Sequence, residues 1–446
     1  MKLNTKRTIL VGLAFLSISA FWQLYDSIVP LILKNTFHIS DTLSGGIMAA
    51  DNMLAIFLLP LFGSLSDRTH TRLGKRTPFI LCGTFAAVLS MLLLPVADHI
   101  VSLPLFVAAL GITLLAMGSY RSPAVSLMPD VTPKPLRSGA NAIINLMGAV
   151  GGVISLLLIS FLVPKTGKPD YFPIFLIVAL IMVCAVLLLM WKIRENPLRR
   201  ERELEEKRLT APVPDKTQAP ASGASVSSSG APASGAGVPA APMPADVKRS
   251  LVLILLSVSF WFMGYNAVTT AFSKYAQIYW GIQGGGFANC LLVATAAAIV
   301  SYIPVGALAS RIGRKKTILG GVLLLASMFA LSASVKEYHL WINGLFALVG
   351  MAWAAINVNS YPMVVEMSRG SDIGRFTGFY YTFSMAAQIV TPILSGFLLE
   401  HVGYHTLFPY AALFVSAAFF TMLFVKHGDS RPEPKKSRLE AFDVDD

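Results

Sequence analysis

The 446-residue sequence predicts an all-α integral membrane protein, with twelve transmembrane helices in two pseudo-symmetric six-helix bundles. Three observations predict it. Hydrophobic residues make up 54% of the chain and charged residues 13%, with a mean hydropathy of +0.64, where a soluble domain carries roughly a quarter charged residues. Apolar segments recur along almost the whole length, each near the roughly 20 residues that a helix needs to cross about 30 Å of hydrocarbon. An Ala/Pro/Ser/Gly-rich stretch then divides six such segments from six more, whose connecting loops echo those of the first set.

In the first half the segments fall at 8–33, 43–63, 77–97, 101–128, 138–163 and 171–192. The first follows a short tail without a small-residue cleavage pattern, so it reads as a retained span rather than a signal peptide. It carries Trp22, Gln23, Tyr25 and Asp26 in its outer half. The second carries Asp51 in an apolar run, then leaves the membrane in the basic turn GSLSDRTHTRLGKRTP. The third is apolar throughout, and the fourth holds Arg121 a turn or two inside its end. The fifth packs through the glycines of INLMGAVGG. The sixth is followed by the charged run RRERELEEKR, expected to continue that helix into water, and then by the Ala/Pro/Ser/Gly tract, which has little to bury and reads as a flexible linker.

The second-half segments are 250–273, 286–309, 317–335, 339–365, 375–399 and 404–425. The seventh helix offers Tyr265 and Asn266, the tenth Trp353 and Asn357, and the eleventh Gln388. Asn357 and Asn359 cannot both face inward, because two steps along a helix turn it by about 200°; Asn357 is preferred. The implied organisation is a bundle over 1–194, a cytoplasmic linker over 195–247, a second bundle over 248–427 and a cytoplasmic tail over 428–446.

Lysines and arginines gather at the ends and in alternate loops, leaving Lys34, Lys165, Lys168 and Lys336 in the opposite set. This bias places both termini in the cytoplasm of a multi-pass cell-membrane protein. Basic charge distributed in this way marks orientation, so no nucleic-acid partner is expected. The cysteines Cys82, Cys184 and Cys290 stand singly and make no disulfide or metal pattern. Glycine runs lack the lysine–serine or lysine–threonine ending of an ATP-binding loop. No enzyme, metal or organic cofactor is implied; the partners are the lipid bilayer and a small-molecule solute. One chain supplies both sets of helices, so a monomer is self-sufficient, and the oligomeric state is left open.

The loop VGALASRIGRKKTIL repeats the place of the first-half basic turn. MPDVTPKPLRSGANAI and VVEMSRGSDIGRFTGF likewise stand at matching helix boundaries, which pairs Asp130 with Glu366 and Arg137 with Arg375. A duplicated six-helix unit is transporter architecture, since two bundles can rock about a cavity between them. The turn GSLSDRTHTRLGKRTP resembles the signature loop of the major facilitator superfamily, in the form found in proton-coupled sucrose transporters and the glycoside–pentoside–hexuronide cation symporters. YRSPAVSLMPDVTPKPLRSGANAIINLMGAVGG and GRFTGFYYTFSMAAQIVTPILSG resemble the same group. The resemblance implies the major facilitator fold and an inner gate built from Asp67, Arg68, Arg72, Gly74, Lys75 and Arg76. It also implies a substrate or coupling role for Arg121.

Physical reasoning adds to that set. Asp130, Arg137, Glu366 and Arg375 are acids and bases at helix ends, suited to pairs made in one facing state and broken in the other. Asp51 lies about 24 Å along its helix from Asp67, and Asp26 about 28 Å from Arg7, at roughly 1.5 Å per residue. Both carboxylates therefore sit at similar depth on neighbouring helices, must face the protein interior, and are proton or cation coupling candidates, Asp51 first. A sugar presents hydroxyls to amides and carboxylates and C–H faces to rings. Trp22, Gln23, Tyr25, Arg121, Tyr265, Asn266, Asn357 and Gln388 are the expected cavity lining. The favoured function is proton-coupled import of a sugar or glycoside, a disaccharide above others. The alternatives are proton-coupled export or exchange of another metabolite or drug and, outside transport, a membrane sensor or scaffold.

Overall fold

The computed structural model describes residues 3–133, 136–165, 167, 169–210, 244–367 and 373–429. The Ala/Pro/Ser/Gly tract from 211 and the tail from 430 lie outside the described residues. Among the described residues there are twelve helices or helix pairs long and apolar enough to cross a membrane, and they form two bundles.

The first bundle comprises α1 (Thr5–Asn35), α2 (Asp41–Arg68), α3 (Thr77–Met91), α4 (Leu93–His99), α5 (Leu103–Val131), α6 (Arg137–Leu162) and α7 (Phe172–Lys192). The spans begin where polar side chains satisfy free amides: Asn4 accepts from Arg7 N ahead of α1, and Ser40 from Leu43 N ahead of α2. The span read as 77–97 is two helices that meet at Leu92. Pro95 has no N–H for the Met91 carbonyl, and the helix breaks at Leu92, next to that unbonded carbonyl. The charged run does not extend the sixth span. Ile193 is extended and α8 (Glu195–Thr210) starts afresh; Pro197 cannot bond back to Ile193, and only in the first turn of a new helix is that loss harmless.

The second bundle comprises α9 (Ala245–Ile278), α10 (Phe287–Ile312), α11 (Arg314–Ala333), α12 (Ile342–Glu366), α13 (Ile373–His401) and α14 (Leu407–Leu423). α9 starts inside the stretch read as linker and runs a turn past 273. Pro60 of α2 and Pro304 of α10 stand at matching places in the last third of their helices, each freeing the carbonyl four residues before it. Apolar side chains that point away from the protein, such as Phe57, Phe161 and Val300, are more than 70% exposed, as expected where lipid rather than water is the neighbour.

The halves meet through α2 on α13, α6 on α10 and α1 on α9. These contacts are tight on the side away from the chain ends, here called the far side. There Ser160 donates to Asn289 at 2.7 Å, Asn35 to Gln277 at 3.2 Å, and Gly285 N to Val163 O at 3.3 Å. Gly45 of α2 lies against the Pro392 carbonyl, and Gly396 of α13 against the Asp41 carbonyl, so that a Cβ at either would strike backbone.

Candidate functional site

The first half brings three charged side chains together between its helices. Asp51 of α2 lies close enough to Asp26 of α1 for its charge to act on it, and the Arg121 guanidinium of α5 acts on Asp51. All three are half-buried. Asn52 donates to Asp51 Oδ1 at 2.9 Å. Trp22 packs edge-on against Tyr25 at 5.4 Å, and its indole Nε1 is buried without a hydrogen-bond partner among the described residues. Such a donor is costly to leave unmade and is well placed for a bound acceptor. Gln23 spends an amide proton on Ser27 at 3.2 Å. Tyr25, expected in the cavity lining, is instead 2% exposed and donates to Ile47 O at 3.5 Å. Its ring fills the gap between α1 and α2.

Across the interface, Tyr265 of α9 stacks on Trp353 of α12 at 3.7 Å, and Phe262 meets the same indole edge-on at 5.4 Å. The amides near this aromatic wall are half-buried: Asn266 donates to Phe262 O at 2.9 Å, and Gln388 to Ser384 O at 3.4 Å. Asn357 is half-buried, while Asn359 is buried and donates to Ala355 O at 2.9 Å. A full turn of separation gives Asn357 and Tyr361 a common face, as the helical period requires. One wall of the interface thus carries fixed charge and the other flat rings and amides.

On the side of the chain ends the basic turn is a network. Arg76 is 4% exposed; its Nε donates to Asp130 at 2.9 Å, and it also reaches Asp67, Ser66 Oγ and the Gly63 carbonyl. Lys75 bridges Asp67 and Asp130, at 3.1 Å to each. Arg68 and Arg72 are exposed. Gly74 holds φ at +125°, which costs other residues strain, and its neighbour is the Glu195 carboxylate. In the second half Glu366 pairs with Arg314 at 2.6 Å, the counterpart of Asp130 with Arg76. Arg137 donates to Pro129 O at 3.0 Å, and Arg375 lies over the Phe379 ring at 5.4 Å.

Sequence reasoning missed Glu195. At 1% exposure its carboxylate receives Lys75 N at 2.9 Å, Arg76 N at 3.0 Å, Thr77 N at 3.0 Å and Thr77 Oγ1 at 2.9 Å. It is the anion that the free amides at the start of α3 require. Asp429 does the same for α11, accepting from Lys315 N at 2.9 Å beside Gly313, where φ is +95°. Neither acid is marked by spacing, because each stands in a charged exit segment and reaches a loop far away in the chain. Asn196 also donates to the Thr71 and Arg72 carbonyls at 3.1 Å each, and Arg202 to Pro129 O at 3.1 Å, so α8 clasps the rim of the first bundle.

Among the described residues no group of histidine, cysteine, aspartate or glutamate could hold a metal ion. Two bundles around a charged and aromatic interface define a membrane transporter. The family model described as the Major Facilitator Superfamily matches residues 11–301 and 254–443, and the chain belongs to that superfamily. Similar solved structures are the nucleoside transporter NupG (TM-score 0.67, 11% identity, 94% of this chain and 100% of that one) and the inward-open xylose transporter XylE from E. coli (TM-score 0.67, 13%, 96% and 97%). At such identities the likeness is one of fold. Among curated proteins, the multidrug resistance protein MdtH of Yersinia pestis (strain Pestoides F) is 30% identical over 114 residues, a stretch spanning 25% of this chain and 28% of that protein.

Proposed function

We propose that the chain is a proton-driven secondary transporter that exchanges a small organic solute for protons across the cell membrane, by alternating access, with both termini in the cytoplasm. The observation that supports it is the cluster of Asp26, Asp51 and Arg121 between the helices of the first half, opposite the Tyr265–Trp353 stack. Carboxylates at membrane depth are tolerated when they face a cavity and can be discharged or paired. Asp51 is the primary coupling residue, Asp26 its neighbour, and Arg121 the fixed positive charge that Asp51 pairs with once it has released its proton. Solute and proton then compete for one wall of the cavity. The stacked rings and the amides of Asn266, Asn357 and Gln388 take the flat or hydroxylated face of the solute. The multidrug relative favours exchange, although it covers a short stretch.

A second reading, symport of a sugar or glycoside, draws on the basic-turn resemblance and on the same ring-and-amide wall. Proteoliposomes with an entrapped pH dye separate the two. Solute uptake alkalinises the lumen in exchange and acidifies it in symport. A lumen pH that responds to no sugar and no planar organic cation would sink both readings.

In either case the network of Asp67, Lys75, Arg76, Asp130 and Arg137, with Glu366 and Arg375 opposite, serves as the gate on the cytoplasmic side. Its named ion pairs are made within each half while the halves are closed together on the far side.

A further inference from the structure

The far side is closed over a charged group that the coupling cluster does not include. Asp41 is the first residue of α2 and is 1% exposed. Its Oδ1 accepts from Lys274 Nζ at 2.7 Å, and its Oδ2 from Lys34 Nζ at 2.8 Å and Tyr404 OH at 2.8 Å. Lys274 is 4% exposed and reaches Ser44 Oγ at 3.4 Å. Lys34 belongs to the half that carries Asp41; Lys274 and Tyr404 belong to the other. Beside them a cavity of about 10 Å³, lined by Ser44, Met48, Thr270 and Leu399, has room for one water. Glu400 accepts from Thr42 N at 2.9 Å across the same seam.

We infer that Asp41 and Lys274, with Tyr404, are a latch between the halves that sets the balance of the two facing states. A buried carboxylate and ammonium are held chiefly by each other. When the halves part on the far side, Lys34 stays with Asp41, so its bond to Asp41 is common to both states and cancels, which leaves Lys34 only a 5.7 Å approach to the Tyr404 ring as a contact across the seam. Lys274 and Tyr404 leave, and their bonds to Asp41 exist only in the closed state. Only differential contacts shift a two-state equilibrium. The effect of a substitution therefore follows which half the residue belongs to, and not how many bonds Asp41 loses. The inference rests on the alternating-access reading, but its test needs no transported solute, so failure of the solute assays and failure of the latch are separate results.

The test places a cysteine at Leu399, which is 3% exposed, in the full chain with Cys82 and Cys184 replaced by serine and Cys290 by alanine. A membrane-impermeant maleimide is added on the far side of oriented vesicles. Lys274→Met should raise the labelling rate tenfold or more, and Tyr404→Phe severalfold. Lys34→Met and Lys274→Arg should stay within about threefold of the parent. Tyr404→Phe leaves the charge pair in place, so it carries the test should Lys274→Met fail to reach the membrane. A parental rate in both Lys274→Met and Tyr404→Phe would overturn the latch, as would a Lys34→Met rate equal to that of Lys274→Met.

Discussion

Asp51 is a half-buried carboxylate and Glu195 a buried one, and their surroundings give them opposite tasks. Asp51 accepts from the Asn52 side-chain amide, with a second acid and an arginine as electrostatic neighbours. That environment leaves the carboxylate free to exchange partners. Asp51→Asn is expected to abolish proton-driven accumulation while binding and solute–solute exchange persist, measured by uptake with and without an imposed pH gradient. Concentrative uptake at the parental rate would remove Asp51 from the coupling role. Glu195, in contrast, is saturated by three backbone amides and a hydroxyl. Glu195→Ala leaves those donors unmet and should cost about 1–3 kcal/mol, read as a lower Tm of the detergent-solubilised protein. The same variant should slow interconversion of the facing states, because the turn that carries Lys75 and Arg76 loses its anchor.

At the scale of elements, the crossing of α2 with α13 decides how closely the far side can shut. Gly45 meets the Pro392 carbonyl there, and interhelical contact of this kind in a membrane depends on small residues. Gly45→Val is expected to hold the halves apart on the far side and to raise maleimide labelling at Leu399→Cys even with Asp41 and Lys274 intact. Unchanged labelling would mean that the crossing tolerates bulk and does not limit closure. The basic turn between α2 and α3 works by a different principle, since its geometry is set by Gly74 at φ +125° against Glu195. Gly74→Ala should cost about 1 kcal/mol or more from the left-handed backbone alone, visible as a lower Tm.

At the scale of the whole molecule, alternating access requires the two bundles to move about the interface between them. Replacing 211–243 by a Gly/Ser sequence of equal length should leave the uptake rate within about twofold, because a chain of that composition acts as a tether. A loss of transport would assign the tract a role beyond tethering. The spans and their division into two bundles were legible in the sequence, because hydropathy and loop repetition are local signals. The sequence also carried the basic turn, as a pattern of residue types. It did not show that Tyr25 is packing, that Glu195 anchors the turn, or that the span at 77–97 breaks at Leu92, although Pro95 stood there to suggest the last. Least legible was the Asp41–Lys274 pair, whose members stand 233 residues apart in the chain. Local chemistry determines that this chain enters a membrane as two six-helix units with charge in their interior. Which acid meets which base is decided only when distant helices pack, since withdrawal from water turns an ordinary lysine and aspartate into partners that hold each other.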